Sequence, residues 1–327
     1  MKVQELRQLM ESADMEHLMK AFIESYKLLK KTQKEEIDPV IADILKGNTV
    51  AKKKTEEIVV EFEDMEQQIE DFIRNARAQN YVAPNRVIPK NQRPKWRFMV
   101  KNFIKDLEKI TPEDSNYAKA VKLLTDIYSL MCDGCIFYMF STEDPFRSIG
   151  WEQAALFELV VKKTFAADYT REELSRLLLS AAGSGLSMEA LHINQQIILI
   201  DGLKTTASLE TAAEEVQKLI EEREGRLKGL KKYDSGRYRL ESDINEFCDL
   251  FLLLSAALAE PAKGVEYYFA HYKGDNQERA LYHALSFIDN IEEDELWIQV
   301  YEYGMKHKIK LSDYMQTKYE KRKKQNS

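Results

Sequence analysis

Residues able to do chemistry are sparse in this chain, and their spacing limits what each can do. Cys132-Asp133-Gly134-Cys135 has the two-residue gap that lets two thiolates hold one zinc ion or close a redox disulfide. A zinc site needs a second ligand pair, for which Cys248 and distant histidines are all that remain, and a redox motif belongs at a strand-to-helix junction. Ile127, Tyr128 and Met131 before the pair, with Ile136, Phe137 and Phe140 after it, read instead as a buried helix carrying two small residues. Neither a metal nor a cofactor is expected.

Glu189-Ala190-Leu191-His192 places a carboxylate and an imidazole on one helical face, as in di-iron bundles, which need two such motifs and two further glutamates. His17, His271, His283 and His307 have no glutamate three positions upstream. The chain has no His-Glu-x-x-His, Walker, Gly-x-Ser-x-Gly or Gly-x-Gly-x-x-Gly motif. An enzyme would have to assemble its pocket from separated residues, His192 and His271 foremost.

One segment departs from the rest. From Pro84 to Lys105 the sequence carries Arg86, Lys90, Arg93, Lys95, Arg97, Lys101 and Lys105 without an acidic residue, in a chain of net charge −7. Pro84, Pro89 and Pro94 keep its first half from being helical throughout. Trp96, Phe98, Val100, Phe103 and Ile104 then anchor a helix. The structural expectation is a linker whose cations pair with acidic helices such as Glu56 to Asp71. The functional one is a positive surface with an exposed aromatic that meets phosphate or an acidic partner, using Arg86, Lys90, Arg93, Lys95, Trp96 and Arg97.

The elements that must position these residues are helices. Average usage would supply about 23 Gly and about 16 Pro in a chain this long, against 12 and 7 here, so sharp turns are few. Met15, Leu18, Met19, Phe22, Ile23 and Tyr26 make one helical face after Ser12 as cap, and Asp38-Pro39 opens a short helix that Gly47 stops. Ile58, Phe62, Met65, Ile69, Phe72 and Ala76 alternate by four and three, as do Leu209, Ala213, Val216 and Ile220 in a second long helix that Arg223 interrupts. Thr111, Thr170, Ser187 and Ser242 read as further helix starts, and Pro261 as a first-turn proline. Phe247 to Leu258 is apolar nearly all round and should cross the middle of the core, while the aromatic run Val265 to Tyr272 reads as a core helix with tyrosine hydroxyls at its edge.

Sustained alternation is missing, so the expected fold is all-α, an irregular antiparallel helical array, α-solenoid-like or a multi-helix bundle, with essentially no strand. Its expected parts are an N-terminal helical subdomain 1–82, a basic linker 83–95 and a main domain 96–327. No run approaches the roughly 18 apolar residues of a membrane span. With a charged N-terminus and an odd cysteine count, that predicts a cytoplasmic protein without membrane contact. The expected function is a non-catalytic helical scaffold that binds a protein. The alternatives are nucleic-acid or anion binding through residues 84–105, and an enzyme.

Overall fold

A computed structural model describes residues 61–325 apart from 292, together with 10, 12–29, 34, 37, 38, 41, 42 and 44–46. Among the described residues lie fourteen α-helices and no strand. The chain divides into two compact units, residues 1–60 and 61–327.

In the first unit, helix α1 (Met15–Lys27) carries the predicted apolar stripe, and none of its residues is buried. Its cap is Asp14 rather than Ser12: the Asp14 carboxylate accepts the His17 amide at 2.9 Å and also meets the His17 ring. The carboxylate lowers its own energy at the helix's positive end, which a hydroxyl does less well. Of the expected short helix after Asp38, positions 41, 42, 44 and 45 are helical, whereas Pro39, Val40 and Gly47 lie outside the described residues; Asp38 itself accepts the Tyr26 hydroxyl at 2.6 Å.

The second unit holds α2 (Phe62–Arg77), α3 (Trp96–Lys109), α4 (Tyr117–Ile136), α5 (Pro145–Ile149), α6 (Gln153–Phe165), α7 (Arg171–Gly183) and α8 (His192–Gly202). It continues with α9 (Thr206–Lys228), α10 (Ser235–Ala257), α11 (Pro261–His271), α12 (Gln277–Asp289), α13 (Asp294–Lys306) and α14 (Asp313–Gln325). Every extensive contact joins helices no more than three places apart: α2 on α4, α4 on α6, α6 on α8, α8 on α10, and α9, α10 and α11 in turn. Packing that follows chain order in this way is the neighbour-to-neighbour logic of a repeat array, without a fixed repeat length.

The unit boundary lies earlier than the expected linker 83–95. Ile69, Phe72 and Ala76 of α2 are buried in the common core, and the Phe72 ring meets Tyr81, Phe103 and Phe140 at centroid distances of 5.2, 5.9 and 6.2 Å. Three aromatic contacts at once stitch α2 and the following loop to α3 and to the loop after α4.

Local rules explain most helix starts. Thr170 and Glu173 form the predicted capping box of α7, and Pro261 opens α11. Three starts move, two of them because a nearer cap exists or a stronger partner intervenes. Asn116 precedes α4, whose helix begins five residues after Pro112. Asp234 caps α10 through Gly236 N at 2.9 Å, so Ser242 lies inside the helix. Ser187 starts no helix: its hydroxyl donates to Asp144 Oδ2 at 2.7 Å, its amide donates to Gln153 Oε1 at 2.7 Å, and α8 begins only at His192.

That arrangement pins the loop 184–191. Gln153, 2% exposed, also donates from Nε2 to the Gly185 carbonyl at 2.9 Å, and Asp144 caps α5 through Arg147 N at 3.1 Å. Gly185 is held so close to α4 that a Cβ would lie 2.2 Å from the Cys132 carbonyl oxygen, whereas a Cβ on Gly183 would meet nothing within 4 Å. Gly185→Ala should therefore destabilise the chain by about 2 kcal/mol or more, since backbone must shift. Gly183→Ala should be neutral or stabilise by up to about 1 kcal/mol. Equal denaturation midpoints for the two variants would show that loop 184–191 does not approach α4 in this way.

Candidate binding face

The segment from Pro84 to Lys105 is ordered by two residues. The Asn85 side chain accepts from Val87 N and Ile88 N at 2.9 and 2.8 Å and donates to the carbonyls of Asn80 and Ala83. Arg93 donates to the Ile88 carbonyl at 3.1 Å and the Asn85 carbonyl at 3.4 Å. Pro94 then sits in a single 3-10 turn, Arg93–Lys95, leading directly into α3. Pro89 and Pro94 block a regular helix, and these hydrogen bonds supply the order that the prolines deny.

Two expectations for this segment change. Trp96 is no contact residue: it is 2% exposed and stacks on Phe140 at 4.1 Å. The exposed aromatic is Phe98, at 62%, with Val87 beside the same basic run at 61%. Both sit at helix or loop positions whose neighbours fill the core, so periodicity alone did not separate Trp96 from Phe98. The cations also do not pair with α2. Among the described residues Glu66 pairs with Lys119 at 2.9 Å and Asp71 with Arg74, and no carboxylate meets Arg86, Lys90, Lys95, Arg97, Lys101 or Lys105. Glu56 lies outside the described residues.

Arg97, Lys101 and Lys105 follow one another at four-residue spacing and are all exposed, so they form one stripe about 12 Å long on α3. The Arg97 guanidinium lies 6.0 Å from the Phe98 ring centre. Lys101 Nζ comes within 3.4 Å of where a Cβ on Gly150 would stand; that glycine ends α5 with φ of +65°, a conformation L side chains resist. Gly150 lines a cleft of about 440 Å³ with Trp151 and the exposed Arg147, but Asp144, Glu152 and Glu189 line it too, so the basic surface ends at α3.

The other candidates are absorbed by structure. Cys132 is buried, Cys135 donates to the Met131 carbonyl at 3.4 Å, and burial pushes both thiols up to about 12. Among the described residues no three His, Cys, Asp or Glu side chains stand together in a way that would hold a metal ion. Glu189 is not the partner of His192. The imidazole instead lies 3.1 Å from Glu246 of α10 through Nδ1, and 2.8 Å from the Ser184 carbonyl through Nε2. His271 pairs with Glu224 at 3.2 Å and stacks on Tyr267, so the two histidines serve different helix junctions.

The chain matches no protein-family model, no curated protein and no solved structure. Its described helices include none long and apolar enough to cross a membrane.

Two predictions follow from the titratable groups. Burial alone would lower the His192 pKa, but Glu246 and the Ser184 carbonyl outweigh it and hold it above the ordinary value. A raised folded-state pKa stabilises below the unfolded value of about 6.5 and ceases to do so as pH rises through the folded value. The stability advantage of the native chain over His192→Gln should thus be larger at about pH 5.5 than at about pH 8.5. An equal advantage at both would mean that folding leaves the imidazole's affinity for its proton unchanged, against the Glu246 contact. For the thiols, thiolate is the reactive form, and burial raises all three above their usual range. Iodoacetamide at about pH 8 should leave Cys132 and Cys248 unmodified in native protein and label them after denaturation; native labelling of Cys132 would contradict its burial.

Proposed function

We propose that this chain is a non-catalytic helical scaffold that binds an acidic segment of a partner protein on the Arg97–Lys101–Lys105 face of α3. The observation that carries the reading is the missing neutralisation. Elsewhere cations that face another helix find carboxylates: Arg171 meets Glu214 and Glu215, Lys273 meets Glu224, and Arg322 meets Asp289 and Asp294. Six cations of residues 86–105 find none among the described residues. A concentration of like charge raises local repulsion and is relieved by an anionic ligand.

The neighbouring apolar groups favour protein as the anion. Phe98 and Val87 are large, exposed and adjacent in sequence to the cations, and exposed aromatic and aliphatic groups beside arginine are the composition of protein–protein contact cores. A net charge of −7 opposes approach to a long polyanion, while a short acidic helix meets only the local field.

The test is a titration with a synthetic helical peptide bearing Glu at every fourth position and Leu between. Binding should weaken as salt rises, because exposed charges are screened within about 8 Å at physiological ionic strength. Replacing Arg97, Lys101 and Lys105 by Glu should abolish it with the melting temperature unchanged. Phe98→Ala should weaken it at every salt concentration equally. Tighter binding of single-stranded RNA than of the peptide, lost in the same triple variant, would reassign the face to nucleic acid.

A further inference from the structure

A second surface carries the opposite charge. Two adjoining cavities of about 670 and about 280 Å³ share Ala256, Glu293 and Leu296, and together form a groove between the ends of α8 and α10 and the starts of α11 and α13. Its apolar lining includes Ile197, Ile200, Leu253 and Leu296, with Ile197 36% exposed. Its charged lining is Asp201, Glu260, Glu293 and Glu295 with a single cation, Lys263, which is 2.9 Å from Glu260. Among the described residues Asp201, Glu293 and Glu295 have no cationic partner.

Helix dipoles do not explain this set. Glu295 stands in the first turn of α13, where a carboxylate is favoured. Asp201 stands in the last turn of α8, where the dipole repels it and no basic side chain compensates. Glu293 precedes α13 without making a side-chain capping bond. The larger cavity is also lined by Gln299, whose Oε1 is buried without a hydrogen-bond partner. An apolar floor and an anionic rim together describe what a basic amphipathic helix would satisfy: its apolar face covers the floor, and its Lys or Arg side chains reach the rim.

We infer that this groove docks a basic amphipathic helix of a partner protein, independently of the α3 face. The probe is a synthetic helix with Leu at positions i, i+3, i+4 and i+7 and Lys elsewhere, titrated into the full chain. Asp201→Asn with Glu295→Gln should weaken binding about tenfold or more, and so should Ile197→Asp. Glu63→Gln with Glu143→Gln makes the same charge change at two exposed acids that line neither cavity of the groove; it should leave affinity within about twofold. Equal weakening in both charge pairs would overturn the inference, since it would mean that the peptide reads net charge alone. Full affinity in the groove variants would overturn it too. Concentration-dependent self-association of the chain, abolished by Asp201→Asn with Glu295→Gln, would replace the partner by a second copy. Exchanging Arg97, Lys101 and Lys105 for Glu should not weaken this binding, which keeps its fate separate from that of the α3 face.

Discussion

The second unit depends on one buried helix. From Phe247 to Ser255 every residue of α10 is buried, so the helix needs apolar neighbours on all sides, and α7, α8, α9 and α11 provide them. Fully burying each large apolar side chain contributes about 1.5–3 kcal/mol, and α10 carries six such side chains in succession around Asp249 and Ser255: Phe247, Leu250, Phe251, Leu252, Leu253 and Leu254. Burial drives the Asp249 carboxyl far above its usual range, and His283 lies 3.6 Å away. Arg223, which breaks the apolar seam of α9, is accommodated by the same helix: its guanidinium lies 4.6 Å from the Phe247 ring centre and its Nη1 donates to the Leu219 carbonyl at 3.1 Å. A cation is tolerated there because an aromatic face, a carbonyl and the Asp243 carboxylate, 3.9 Å from its Nε, replace water.

With the apolar faces turned inward, charge decides what is left at the surface. Interhelical pairs use carboxylates of α2, α9 and α12 to fix neighbours, and α14 is fastened the same way: Lys318 and Arg322 both reach Asp289, and Arg322 lies 4.9 Å from the Trp297 ring centre. Two places escape that accounting. The α3 stripe is basic and the groove by α13 is acidic, and each is flanked by apolar groups that water does not favour. Under the function we propose, opposite charges on separate surfaces would let two partners bind without either competing for the other's site.

Periodicity made most of the fold legible. The seams of α2 and α9, the apolar run of α10, the capping box at Thr170 and the first-turn proline at Pro261 depend on local spacing, and local spacing survives folding. What it could not resolve were choices made by distant partners. Ser187 has the chemistry of a cap, but Asp144 and Gln153 claim it across more than thirty residues. Trp96 and Phe98 are two residues apart on one helix, and only the position of Phe140 tells which is inside. His192 meets Glu246 rather than the glutamate three places before it, because α8 starts too late to include Glu189. The expected pairing of the basic run with α2 failed as well: Glu66 and Asp71 are taken by Lys119 and Arg74, and among the described residues no other carboxylate of α2 meets the run.

The central claim is that the basic face of α3 is an interface. Hydroxyl-radical footprinting of the full chain, with and without saturating acidic helical peptide, reports it side chain by side chain. Phe98 and Val87, 62% and 61% exposed, should become protected, while Tyr314 and Tyr238, 73% and 80% exposed on other helices, should oxidise at unchanged rates. Protection of Tyr238 or Tyr314 without protection of Phe98 would contradict the account.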